Sequence, residues 1–412
     1  MVSSPADVQP SVAGRARATL ALLGPAFVAA IAYVDPGNVA ANISAGAAHG
    51  YLLVWVIVLA NVMAALVQLL SSKLGLATGR SLPELVAART GRVGRLAYWA
   101  QAELVATATD LAEVVGGAIA LQLLFRLPPP VGGLITGAVS MALLTVQNHG
   151  GQRAFERVII GLLAIISVGF VAEVVLAPPS LSGAAGGLVP RFDGTGSVLL
   201  TAAIIGATVM PHVVYLHSGL VRDRHGYTEP GPRRTRLLRA NRIDVALAMV
   251  IAGVVNLSML LLAARTLSGR GIDTITDAHG AVSDALGPRA ALLLAVGLLA
   301  SGLASTSVGA YAGAMIMEGL LNRRVPLPLR RVVTLLPALV LLTVGVDPTR
   351  VLLLSQVVLS FGIPFAVVPL VRFTADRALM GSAVNSRLTT VLAALVAGVI
   401  SVLNLFLIYQ VL

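Results

Sequence analysis

GPAFVAAIAYVDPGNVAANISAGA, residues 24–47, reads as a membrane helix that cannot be continuous. Apolar residues run along it, yet Asp35 stands near its middle with Pro36 and Gly37 directly behind. Proline removes a backbone donor and clashes with the preceding turn, and glycine loosens the helix further. A second stretch, AAIIGATVMPHVVYLHSG (residues 202–219), repeats the pattern: Gly206 and Pro211 flank Met210, and His212 follows. Broken backbone is tolerated at membrane depth only where protein or a water-filled cavity satisfies it. Two such breaks in one chain therefore mark a built site.

The rest of the chain explains why the solvent is a bilayer. Of 412 residues, 57% are hydrophobic and 11% charged, against about 25% charged in a soluble domain, and the mean hydropathy is +0.90. With no cysteine, disulfides, thiolate metal sites and thiol redox chemistry are excluded. About 20 apolar residues span a bilayer. Eleven segments qualify, at about 20–47, 51–76, 95–126, 129–148, 155–177, 195–221, 240–268, 286–320, 328–346, 350–373 and 388–411. The third and eighth are long enough to tilt or to extend past the lipid. The N-terminus shows no cleavable signal pattern. Residues 1–19 are expected to form a disordered cytoplasmic tail, and residues 20–412 a single transmembrane domain.

Charge sets the expected orientation. With the N-terminus in the cytoplasm, 23 of the 29 basic residues fall on the inner side: the tail, Lys73 to Arg95, Arg153 and Arg157, Arg222 to Arg242, Arg323 to Arg331, and Arg372 to Arg387. Only Arg126, Arg191, Arg265, Arg270, Arg289 and Arg350 fall outside. That split satisfies the positive-inside rule. It also accounts for the net charge of +11 without a nucleic-acid partner, so the arginine run Arg233–Arg242 reads as a topological anchor.

Asp35 and Met210 are 175 residues and five helices apart. An odd number of helices reverses the second unit, so helices 1–5 (about 20–177) and 6–10 (about 195–373) are expected to be inverted repeats, with helix 11 (about 388–411) as an appendage. This is the all-α, LeuT-type 5+5 architecture with discontinuous helices 1 and 6. In such transporters the paired breaks form the substrate site near the midplane.

Several residue groups resemble one family. Asp35-Pro36-Gly37-Asn38 and Met210-Pro211-His212, continued by Tyr215-Leu216-His217-Ser218, resemble the Nramp family of proton-coupled divalent metal transporters. Gln101-Ala102-Glu103-Leu104 through Glu113, Asn241-Arg242-Ile243-Asp244, and Ser355-Gln356 to Pro364 extend the resemblance over about residues 20–410. The bacterial branch with eleven helices fits best. One departure is Val213, where many members carry asparagine. The resemblance implies import of Mn2+, Fe2+ and similar ions together with protons, in a monomer of the bacterial cytoplasmic membrane. No cofactor is implied; metal ion, protons and membrane lipid are the partners.

The residues carry their own chemistry beside this. A carboxylate in lipid is costly and usually marks an ion path; the alternative for Asp35 is a structural aspartate bonded to unwound backbone. Asn38 reads equally as a ligand or as a cap of the second half-helix. Met210 offers a thioether, a soft ligand that suits transition metals better than calcium or magnesium, although methionine in an apolar helix is ordinarily packing. The resemblance makes Asp35, Asn38 and Met210 metal ligands, adds the carbonyls of Ala32 and Ala207, and lets Gln356 join when the site closes. His212 and His217, five apart, do not share a helix face. His212 is a candidate proton relay, and His217 reads equally as a core histidine. Glu103, Asp110 and Glu113 form one stripe of helix 3, rising about 15 Å. Either they belong to a proton route, as the resemblance implies, or they are a static network holding helices together. Their candidate partners are Arg330, Arg331 and Arg224. Glu173 and Glu318, near helix ends, read as interfacial.

No H-E-x-x-H, G-x-S-x-G or P-loop pattern is present, which argues against an enzyme. The alternative function is a sodium-coupled amino-acid or organic solute symporter of the same architecture, which has less reason for a carboxylate beside a thioether.

Overall fold

Every backbone N–H and C=O inside lipid must find a partner within the chain, and helices provide almost all of them here. The computed structural model describes residues 24–411 apart from 273, and no strand occurs among them. The expected tail, residues 1–19, lies outside the described residues. In chain order the helices are α1 (Pro25–Ala30), α2 (Pro36–His49), α3 (Val54–Thr78), α4 (Leu82–Arg89), α5 (Arg92–Phe125), α6 (Pro129–Leu176), α7 (Leu181–Gly186), α8 (Gly194–Thr208), α9 (Pro211–His225), α10 (Pro232–Thr266), α11 (Ile275–Leu286), α12 (Pro288–Leu321), α13 (Leu327–Val344), α14 (Pro348–Ala375), α15 (Arg377–Met380) and α16 (Arg387–Val411).

Nine spans among the described residues are long and apolar enough to cross a membrane, against the eleven expected. The nine leave out the first and ninth expected spans. The first is cut into α1 and α2, of 6 and 14 residues, each too short to cross alone. The ninth is present as the helix α13, 18 residues long, with Arg330 and Arg331 near its start. Helix α6 contains two spans, Pro129–Val146 and His149–Leu176, and leaves helical geometry at Gly151, with φ 73°. The long third and eighth spans are α5 and α12, 34 residues each, or about 51 Å of helix.

Both breaks fall where the sequence places them. Between α1 and α2 the chain tightens into a 3-10 turn, Ile31–Val34, then extends at Asp35 (φ −68°, ψ 168°). Between α8 and α9 it leaves the helix at Val209 and extends at Met210 (φ −83°, ψ 123°). Each break proline is seated against a glycine on a neighbouring helix. A Cβ on Gly116 of α5 would collide with the Pro36 ring, and one on Gly362 of α14 would lie 2.9 Å from Pro211 Cγ.

Carbonyls released by proline are taken up from across the bundle. Pro364 and Pro369 lie inside α14 and remove the donors that would reach Ser360 and Phe365. Asn404 of α16 donates to the Ser360 carbonyl at 3.0 Å, and Tyr215 of α9 donates to the Phe365 carbonyl at 2.9 Å. Helix α16 is thus hydrogen-bonded into the body it was expected merely to accompany.

The N-terminal end of α1 is fixed by Asp244, buried in α10. Its two carboxylate oxygens accept from Gly24 N and Ala26 N, both at 3.0 Å. Nearby, Arg224 at the end of α9 pairs with Glu156 of α6, whose second oxygen accepts from Gln152 at 2.9 Å. Asp244→Ala leaves two buried donors bare and is expected to cost about 2–4 kcal/mol, with Asp244→Asn in between. Thermal unfolding of the purified chain in one detergent measures this; unchanged melting in both variants would show that α1 is held by packing alone.

Candidate metal site

Asp35 sits at the junction of the first break, fully buried, and its two oxygens have different fates. Oδ1 caps α2, accepting from Asn38 N at 2.8 Å and from Asn38 Nδ2 at 2.6 Å. Oδ2 is buried with no hydrogen-bond partner. The cap of the second half-helix is therefore Asp35 itself rather than Asn38. Asn38 bridges the two breaks: its Nδ2 also donates to the Ala207 carbonyl at 3.0 Å, and its Oδ1 accepts from Thr208 Oγ1 at 3.3 Å. Asp35, Asn38 and Ala207 are thereby brought together.

Gln356 joins them from α14. Its side chain is buried, and neither its amide oxygen nor its nitrogen has a partner. A Cβ on Gly37 would lie 2.8 Å from Gln356 Cδ and 3.0 Å from Asp35 Oδ2. The absent side chain of Gly37 is what allows the amide and the free carboxylate oxygen to face the same small space. Leaving one buried polar group unpaired costs about 1–3 kcal/mol, more for a charged one. Two side chains that leave such atoms side by side form a donor set for a cation.

Met210 lies in the second break, fully buried, at the residue before α9 begins. Ala32 lies in the 3-10 turn, three residues before Asp35, and is buried. Among the described residues no group of three or more His, Asp or Glu side chains could hold a metal. One carboxylate with neutral oxygens and a thioether suits an ion that must be released again.

The unwound turn is held by polar side chains, of which sequence reasoning missed Asn42, Asn256 and Ser301. Asn256 of α10 donates to the Tyr33 carbonyl at 2.7 Å, and Ser301 of α12 donates to the Val34 carbonyl at 2.5 Å. Asn256 Oδ1 in turn accepts from Asn42 of α2 at 2.9 Å. Tyr33 Oη accepts from Gln68 of α3, and Gln68 Oε1 meets His217 Nδ1 at 2.6 Å. The signal was available: each is a polar side chain within a mostly apolar segment. Nothing in the sequence, however, says which carbonyl it meets.

Helix α5 carries the predicted acidic stripe. Asp110 is ion-paired with Arg331 of α13, both buried, and accepts from Thr306 of α12 at 2.5 Å. Glu103 is held by both terminal nitrogens of Arg330 at 2.9 Å. Glu113 is fully buried with both carboxylate oxygens unpaired, packed against Gly309, whose Cβ would lie 2.9 Å from Oε2. It lies within electrostatic reach of Asp35, Asp110 and Arg331. His212, fully buried, faces the same helix, with Nδ1 3.4 Å from Thr109 Oγ1. Arg224 is not a partner of the stripe; it stands at the far end of α9 against Glu156. Of the two interfacial expectations, Glu318 is half-exposed and paired with Arg324, whereas Glu173 is fully buried and unpaired.

Residues 26–410 match the sequence model of the Nramp family, described as natural resistance-associated macrophage protein-like. The chain is 66% identical over 390 residues to the divalent metal cation transporter MntH of Mycobacterium tuberculosis, covering 94% of this chain and 91% of that one. It is 46% identical to MntH of Bacillus subtilis over 396 residues, covering 95% and 92%. Among solved structures, the Eremococcus coleocola manganese transporter superimposes with a TM-score of 0.88 at 31% identity, over 98% of this chain and 90% of that one. Mhp1, a nucleobase-cation-symport-1 family transporter, superimposes with a TM-score of 0.61 at 17% identity, over 93% and 90%, a likeness of fold alone. The LeuT-type fold expected from the two breaks is the fold of this chain. The match over nearly its whole length makes this chain a multi-pass membrane protein of the Nramp family.

Proposed function

We propose that the chain imports divalent transition-metal ions, Mn2+ and Fe2+ among them, across the bacterial cytoplasmic membrane by alternating access coupled to protons. The observation that carries this reading is the unpaired Asp35 Oδ2 beside the unpaired Gln356 amide, at the meeting of two broken helices. A dication placed there is met by Asp35, by the Gln356 oxygen and by Met210 sulfur, with Asn38 Oδ1 and the carbonyls of Ala32 and Ala207 completing the set. The Asn38 bonds to Asp35 and Ala207 give way as the ion arrives. No bond of the cargo is made or broken, so the activity is transport without an enzymatic step.

Proton and metal compete for one carboxylate, which is the simplest form of coupling. From Asp35 a proton has two acidic neighbours in sequence along α5, Glu113 and then Asp110, with His212 against Thr109 beside them. The route ends at the pairs Asp110–Arg331 and Glu103–Arg330. The N-terminus and the arginine-rich connections face the cytoplasm, residues 20–412 act as one domain, and the working unit is a monomer.

Uptake of Mn2+ into proteoliposomes tests the reading. Saturable uptake, faster with acid outside and indifferent to excess Ca2+, is expected; sodium-driven uptake of an organic solute without Mn2+ uptake would leave the fold standing and overturn the function. Asp35→Asn is expected to abolish Mn2+ uptake. Met210→Ala is expected to keep part of it while admitting Ca2+ or Mg2+, and continued exclusion of both ions would refute a thioether filter. Gly37→Ala displaces Gln356 and is expected to weaken Mn2+ binding several-fold, read by calorimetry.

The acidic stripe has its own test. Arg331→Met strands the Asp110 charge and is expected to destabilise the chain by about 3–5 kcal/mol. Adding Asp110→Asn is expected to restore stability but not proton-stimulated uptake. Recovery of both would mark the pair as a purely structural bridge.

A further inference from the structure

Some arginines at the helix ends are ion-paired: Arg222 with Glu84, Arg324 with Glu318, Arg330 with Glu103, Arg89 with Asp376. Among those in no ion pair, three share a cavity. Arg92 and Arg95 of α5 and Arg323, just beyond α12, line one cavity of about 460 Å³ with Leu96, Trp99, Leu320 and Leu321. No carboxylate lines it, and none of the ion pairs found among the described residues engages these three arginines.

The local backbone adds to the charge. Asn322 closes α12 in the left-handed conformation, φ 53°, and the next residue is Arg323. Arg92 and Arg95 open α5, where Gly91 supplies no side-chain cap and no acidic residue stands in the first turn. The first turn of a helix is its positive end, so both guanidiniums sit where the helix itself disfavours them. Three like charges and an uncapped helix start are relieved by one anion.

The remaining lining narrows its identity. Leu96 is 46% exposed, and with Trp99 and Leu320 it gives the basic cavity an apolar wall. The cavity lies at the ends of two membrane-spanning helices, the level at which tryptophan sits among head groups. Guanidinium suits phosphate oxygens through paired, planar donors. We propose that this cavity holds the phosphodiester head group of an anionic membrane lipid, with the lipid chains against Leu96 and Trp99.

The chain has two tryptophans, Trp55 and Trp99, which makes the test direct. In the full-length Trp55→Phe chain, Trp99 is the sole reporter, and phospholipids with brominated chains quench it on contact. Brominated phosphatidylglycerol is expected to quench several-fold more effectively than brominated phosphatidylcholine, since each cation near an anionic surface contributes a factor of about five at most. The preference is expected to fall toward parity in Arg92→Gln/Arg95→Gln/Arg323→Gln and partway in Arg323→Gln alone, which guards against a misfolded triple variant. Millimolar inorganic phosphate is expected to leave the quenching unchanged, and Trp55, read in the Trp99→Phe chain, is expected to show no preference. Equal quenching of Trp99 by the two lipids would overturn the proposal, as would reversal by inorganic phosphate, which would make the occupant a soluble anion.

Discussion

A carbonyl set free inside a bilayer has no water to accept from, and the two broken helices set several free at once. The fold is arranged around supplying their donors. Asn256 reaches Tyr33, Ser301 reaches Val34, Asn38 reaches Ala207, and in the neighbouring proline-bent helix Asn404 and Tyr215 reach Ser360 and Phe365. Each bond is worth about 1 kcal/mol net when made, but the bare group would cost more than that. The penalty, rather than the gain, is what fixes these side chains in place and keeps the unwound segments in a single conformation.

Against that background of satisfied groups, the unsatisfied ones stand out. Asp35 divides its carboxylate between a structural duty and a free oxygen, and Gln356 has no partner at all. A strain of this kind persists only when the surroundings over-determine it. The Pro36–Gly116 and Pro211–Gly362 contacts do so, since each proline is seated in a gap the size of a missing methyl group. The backbone at both breaks is thus held by packing, while the Asn38 side chain bridges them.

Much of this was legible before any coordinates. The proline and glycine pairs beside Asp35 and Met210 announced both breaks, although proline alone does not decide, since α14 continues through Pro364 and Pro369. The 3 and 7 residue intervals announced the acidic stripe, because they are set by helix geometry alone. What could not be read was pairing across the bundle. Arg224 and Arg331 look alike in sequence, yet one meets Glu156 and the other Asp110. Glu173 lies close to the end of its helix and is still fully buried, since depth depends on what packs over it.

The bond from Asn404 to Ser360 carries a consequence for how the protein is made. Helix α14 bears Gln356, and the carbonyl freed at its first inner proline is satisfied by a side chain from α16. During synthesis α14 reaches the membrane before its partner exists. Its final packing, and with it the position of Gln356, is therefore completed only once α16 has been made. A protein truncated before α16 would insert its earlier helices yet never close the wall of the site.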